Sequence, residues 1–351
     1  MTANTAREVG VNTEMAIREN TEGRDPGWRP AGGGSLRYVT AVTLVAAYSL
    51  VVLGDTVRVT ESGMGCSSWP LCNGSAWLTG GYHALLEQSH RYLAAIVTTL
   101  VLAVFVLVWR RARGNRLAWR SAIASVALIG VQVTLGALTV FAHNAGWTVA
   151  LHLAGAWLVV ASVTVTTIAV WRNRPNPAAA DDSPCEGPLS GVSLNPSGRL
   201  GLVAATALFL VSVAGMLVLH GNASTACPGW PTCGTGTGPV SAVVLQYLHR
   251  TLVGLATVAL MAAAIRAWRS AAADRADRTL AASSLILLAA TAAMGAIVAL
   301  SGAANLPQDL HLAVATLLWI SVVALATPHT RAPRRDLQRV VAQAEVGTYD
   351  G

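Results

Sequence analysis

Residues 66–72 read CSSWPLC, and residues 227–233 read CPGWPTC. Both place Cys at the two ends of a seven-residue frame around Trp-Pro, and the second lies 161 positions after the first. Further matches fall near that offset. His90 in SHRYLA pairs with His249 in LHRTLVG, His152 in LHLAGAWL with His311 in LHLAVATLLW, and Gly136 in TLGALTV with Gly295 in AMGAIVAL, each 159 positions apart. The chain therefore reads as two halves in tandem.

What each half contains follows from hydropathy. Of 351 residues, 53% are hydrophobic and 12% charged, far more apolar surface than one water-soluble core uses. Apolar runs near the ~20 residues that cross a bilayer fall at about 37–57, 84–109, 118–141, 148–171, 199–219, 242–265, 279–301 and 307–327. The expected fold is an all-α membrane protein of eight transmembrane helices, arranged as two pseudo-symmetric four-helix bundles (37–171 and 199–327). A Pro-rich linker (172–198) joins them. Residues 1–36 and 328–351 are expected to be cytoplasmic tails, the first of disordered composition. No cleavable signal peptide is expected before the first span.

All 24 basic residues are Arg. They gather before span 1, in alternate connections (Arg110, Arg111, Arg113, Arg116 and Arg120, for example) and after span 8, whereas the connections at 60–83, 142–147, 220–241 and 302–306 contain none. The positive-inside rule puts both termini in the cytoplasm and both Cys frames outside, so the two halves are parallel repeats. The +7 net charge thus reports topology and contact with anionic lipid, and a nucleic-acid partner is not expected.

The repeat also sorts the histidines. His83, His143, His220 and His329 have no counterpart; His90, His152, His249 and His311 do, and only these four lie within spans, separated by 62 positions in each half. All four sit near the outer ends of outside-to-inside spans. A ring placed there marks a ligand or a pathway unless it is an interfacial histidine bonded to backbone. Zinc wants three or four protein ligands. Haem iron needs one or two axial imidazoles, and bundle interiors accept such cofactors. Small neighbours such as Ala94, Gly155, Gly254 and Ala313 would admit a flat macrocycle, or simply let helices pack closely. Arg91 and Arg250, each following a histidine, would meet haem propionates or snorkel to the interface. Glu87 lies three residues before His90, about 4.5 Å nearer the outside, and the second half has Gln246 in that slot. A carboxylate at one site alone points to chemistry there and electron carriage at its twin, against the plainer reading of a solvated helix-start glutamate.

The combination RVTESGMGCSSWPLCNG (58–74), EQSHR (87–91), ALHLAGAWL (150–158), YLHR (247–250) and DLHLAVA (309–315) closely resembles the haem A synthase family, in its bacterial form with two Cys pairs. The resemblance implies a plasma-membrane enzyme that oxidises the C8 methyl of haem O to the formyl group of haem A by successive hydroxylations. It implies haem O between His90 and His152, haem B between His249 and His311, and Glu87 as the functional carboxylate. It also implies exchange with a haem O synthase and with terminal-oxidase assembly factors, and leaves an oligomer open. Glu61 departs from the family's usual Gly, and LHGNASTAC (219–227) lacks the first half's RxTxSG run. Outside the membrane, Cys66 with Cys72 and Cys227 with Cys233 are expected as disulfides, serving as loop staples or in redox exchange, while Cys185 is left as a cytoplasmic thiol. The rival reading is a dihaem electron-transfer cytochrome using the same histidines without Glu87. A transporter fits less well, for want of a broken helix pair.

Overall fold

The computed structural model describes residues 33–78, 80–172, 196–220, 223–236, 238–270 and 273–328. The expected amino-terminal tail up to residue 32, the linker from 173 to 195 with Cys185, and the tail from 329 on with His329 lie outside the described residues. Among the described residues eight helices form: α1 (Gly33–Val59), α2 (Tyr82–Arg111), α3 (Arg116–Phe141), α4 (Gly146–Arg172), α5 (Pro196–His220), α6 (Val240–Arg269), α7 (Arg275–Leu300) and α8 (Asn305–Ala326). All eight are long and apolar enough to cross a membrane, and there is no strand among the described residues.

Most helices outrun their apolar spans by a few residues because polar groups continue the backbone pattern beyond the hydrocarbon. The Asn115 side chain accepts from the Ala118 amide at the start of α3, and Asp274 forms a reciprocal capping box with Asp277 at the start of α7. Arginines close the last turns of α2, α4 and α6, where the helix dipole favours a cation. Large apolar side chains stay exposed on every helix, as lipid requires.

Each half closes on itself. Helices α1–α2–α3–α4 pack in a ring, as do α5–α6–α7–α8, and the two bundles meet along α1 and α4 on one side and α5 and α8 on the other. The repeat extends to buried hydroxyls: Ser125 donates to Ser162 (2.9 Å) between α3 and α4, and Ser284 bonds Ser321 (2.8 Å) between α7 and α8.

The helix pairings between the halves repeat, α1 with α8 and α5 with α4, but particular side-chain contacts there do not. Trp157 of α4 stacks on Trp319 of α8 with ring centroids 5.4 Å apart, and the Trp319 indole N–H donates to the Trp157 carbonyl (2.9 Å). At the Arg-rich end, Arg172 grips Asp274 (2.6 Å) and Asp277 (2.8 Å). Burial pushes the Asp274 carboxyl up, but the Asp277 backbone amide and the Arg172 guanidinium outweigh it and hold the group below the usual carboxylate range.

Candidate functional site

Helices α2 and α4 bring His90 and His152 into one bundle, and α6 and α8 bring His249 and His311 into the other. In each half the two imidazoles lie within electrostatic reach of one another. Every ring rests on a glycine of another helix in its own bundle. A Cβ on Gly54 would stand 3.0 Å from His90 Cε1, on Gly136 3.3 Å from His152, on Gly215 3.2 Å from His249, and on Gly295 3.2 Å from His311. These are closer than carbon atoms ordinarily pack. The four glycines are therefore what lets the rings approach α1, α3, α5 and α7 this closely. Gly136 and Gly295 stood out in the repeat; Gly54 and Gly215 obey the 161-residue offset of the Cys frames and were missed.

The halves differ in how they hold the rings. In the second half, His249 Nδ1 donates to the Val211 carbonyl and His311 Nδ1 to the Thr291 carbonyl, both at 3.1 Å and both one turn before the platform glycine. A carbonyl only accepts, so Nδ1 carries the proton and Nε2 is left for a ligand. In the first half, Nδ1 of His90 and of His152 are buried without a partner. Among the described residues no three His, Cys, Asp or Glu side chains converge as a metal site. Two neutral imidazoles on glycine platforms suit a metal that brings its own equatorial ligands, which is the donor set of a bis-histidine haem.

Above each pair lies a Cys loop. Cys66 is bonded to Cys72 and Cys227 to Cys233, with Cα atoms 4.8 and 4.4 Å apart, and the Trp69–Pro70 and Trp230–Pro231 peptides are both cis. The two arginines that follow the first histidine of each half both bond the Cys loops. Arg91 donates to the carbonyls of Ser68 (2.7 Å), Pro70 (3.1 Å) and Leu71 (3.2 Å). Arg250 does the same to Gly229 (2.9 Å), Pro231 (3.1 Å) and Cys227 (3.2 Å). Each guanidinium ties its loop to the helix that carries the first histidine of its half.

Glu87 is not a solvated helix-start residue. It is 4% exposed, accepts the Cys66 amide at Oε2 (2.8 Å) and pairs with Arg91 through Oε1 (2.6 Å). Gln246 is similarly buried but reverses the polarity, donating Nε2 to the Ala223 carbonyl (2.8 Å). The first site thus has a negative charge at its Cys-loop end where the second has a neutral amide.

A polar cluster between the halves escaped sequence reasoning. Asp55, 3% exposed, pairs with Arg58 (2.6 Å); Arg58 also reaches Gln308, and the Thr56 hydroxyl donates to Asp309 (2.8 Å). These contacts tie Thr56 and Arg58, just past Gly54 on α1, to Gln308 and Asp309, just before His311 on α8. Of the unpaired histidines, His83 bonds the Ser62 hydroxyl in the first loop, and His143 lies in the turn between α3 and α4 with φ 52°.

Comparison with known proteins places these features in context. A family model described as cytochrome oxidase assembly protein matches residues 80–323. The chain is 33% identical over 292 residues to the heme A synthase of Symbiobacterium thermophilum, covering 80% of this chain and 89% of that one. It is 30% identical over 241 residues to the heme A synthase of Geobacillus kaustophilus (67% and 73%) and 29% over 303 residues to that of Shouchella clausii (84% and 98%).

Proposed function

The chain belongs to the haem A synthase family, and on that premise we propose that it is a multi-pass membrane oxidoreductase converting haem O to haem A. The first bundle takes haem O between His90 and His152, and the second holds haem B between His249 and His311. The observation that carries this division is the hydrogen bonding of the rings. His249 and His311 are fixed by carbonyls, as suits a resident cofactor; His90 and His152 have no such bond, as suits a molecule that enters and leaves.

Glu87 is the catalytic residue of this reading. Its carboxylate is held by the Cys66 amide and Arg91 at the Cys-loop end of the first site. There it stabilises positive charge developing at the C8 methyl carbon, or takes the proton of an attacking water. Haem B, when bound, supplies one-electron exchange. Arg91 pairs with Glu87 and, with Arg250, holds the Cys loops over the two sites; propionates brought to this end would meet the same guanidiniums. The disulfides shape these loops, and a redox function for them stays within this reading.

The arginines at one end of the bundles, among them Arg110, Arg111, Arg172, Arg266 and Arg269, support a bacterial plasma-membrane location with both termini cytoplasmic. Haem O synthase as donor and oxidase assembly factors as recipients follow from the family.

The test is the extracted pigment of the purified chain co-expressed with a haem O source. Hydroxylated and formyl haems are expected; unchanged haem alone would favour a purely electron-carrying cytochrome. His249→Ala should lose the low-spin haem B signal while first-site binding persists, and survival of that signal would refute the ligand assignment.

A further inference from the structure

Gln132 is a buried amide with nothing to bind. It lies on α3 one turn before Gly136, the platform of His152, and is 7% exposed, with Nε2 and Oε1 both buried and without a partner. Opposite it on α4 is Gly155, three residues past His152, and a methyl there would overlap the Gln132 amide. The close approach is specific to the first bundle. At the repeat offset the second bundle has Thr291, whose hydroxyl donates to the Leu287 carbonyl of its own helix, and Val314.

An unpaired amide inside a membrane bundle is costly, and polar groups retained at such depth mark a ligand. The position limits which ligand. Gln132 lies about 6 Å along α3 from the glycine under His152, on the Arg-rich side, opposite to Glu87 and the Cys loop. A macrocycle held by His90 and His152 would have to extend one edge toward this side of the site to reach the amide. A propionate there would demand a cation, which Gln132 does not supply. A neutral alcohol both donates and accepts, and so does a carboxamide. Haem O differs from haem B by a hydroxylated isoprenoid side chain at one pyrrole.

We infer that Gln132, with the space left by Gly155, is the specificity determinant that hydrogen-bonds the side-chain hydroxyl of haem O and so distinguishes it from haem B in the first bundle. This rests on the assignment of haem O to that bundle.

The test uses the full chain with haem B in its second half, titrated with haem O and separately with haem B, following the Soret band and the low-spin signal. The double variant Gln132→Thr/Gly155→Val copies the pair that the second bundle already packs; Gln132→Met is an alternative of nearly the same volume. Either variant should bind haem O about tenfold more weakly, with haem B affinity and the bis-imidazole signal unchanged. Unchanged haem O affinity overturns the inference. Equal losses for both haems, or an altered low-spin signal with haem B, also overturn it, because the amide then serves His152. If the wild-type chain takes up no haem O and yields no oxidised haem, the functional assignment itself fails and the inference with it.

Discussion

Replacing Gly295 with alanine tests the platform geometry directly. The new methyl would stand 3.2 Å from His311 Cε1 and 3.6 Å from Nδ1. Ordinary carbon contacts begin at about 3.5 Å, so the ring must retreat by a few tenths of an ångström. The Nδ1 bond to Thr291, now 3.1 Å, then passes the useful limit of about 3.2 Å. Losing it costs about 0.5–1.5 kcal/mol, and alanine in place of glycine returns about 1 kcal/mol of helix propensity. The fold should therefore be nearly as stable as before, while the ligand loses its orientation; comparable losses around metal-bound histidines weaken binding about 10- to 100-fold. Gly295→Ala should keep its Tm within a few degrees yet lose haem B on dilution, measured as haem per protein and as low-spin signal. Gly295→Val should lose it further. Gly136→Ala, under a ring with no such bond, should leave haem B in place. Wild-type haem B retention in Gly295→Val, or a fall in Tm that accounts for all the lost haem, would refute the reasoning.

Glu87→Gln keeps the shape but not the charge, and haem binding should persist while product formation falls about 100-fold or more; normal turnover would remove Glu87 from the chemistry. Glu61 adopts φ 54°, where glycine is at ease, so Glu61→Gly should gain about 0.5–1 kcal/mol, seen as a higher Tm, and a lower one would count against it. At the link between halves, Arg172→Met leaves the buried Asp277 short of its cation and should cost about 1–3 kcal/mol, whereas Asp274→Asn, half-exposed, should cost at most about 0.5 kcal/mol. The sign with pH follows from the depressed Asp274 carboxyl: its contribution is whole above the unfolded value near 3.9 and fades as pH falls through the lower folded one. The stability difference between Asp274→Asn and wild type should accordingly vanish in strong acid, and a difference that grew there would contradict the assignment.

The eight spans and four histidines were legible because both signals are periodic: long apolar runs mark the helices, and duplication marks what both halves must keep. Helix ends were less so, since Asn115 and Asp274 extend α3 and α7 into polar sequence that hydropathy scores as loop. The hydrogen bonds that Arg91 and Arg250 make were not foreseen for a similar reason. Their partners are backbone carbonyls of the Cys loops, which carry no side-chain signature. The surface between the halves was illegible altogether. Trp157 and Trp319 are not counterparts, as their repeat positions hold Thr316 and Val160, and Asp55, Arg58 and Asp309 belong to one contact that occurs once. A search for repetition selects features common to the halves and passes over those by which one half recognises the other.

Duplication also makes the differences informative. On the proposed reading, two bundles with the same glycine–histidine contacts and the same arginine-tied loops would grip a macrocycle alike, so a departure at matched positions would be chemistry added or removed. The polar departures gather around the first pair of rings: Glu87 where the twin has Gln246, Gln132 where it has Thr291, and imidazoles without the carbonyl bonds of the second pair. The unpaired Gln132 amide leaves a polar group of that site to be completed by what binds. The second site has its polar groups already satisfied, with Gln246 on a loop carbonyl and both rings on helix carbonyls. A site complete in itself suits a permanent occupant, and a site completed only by its occupant suits a substrate.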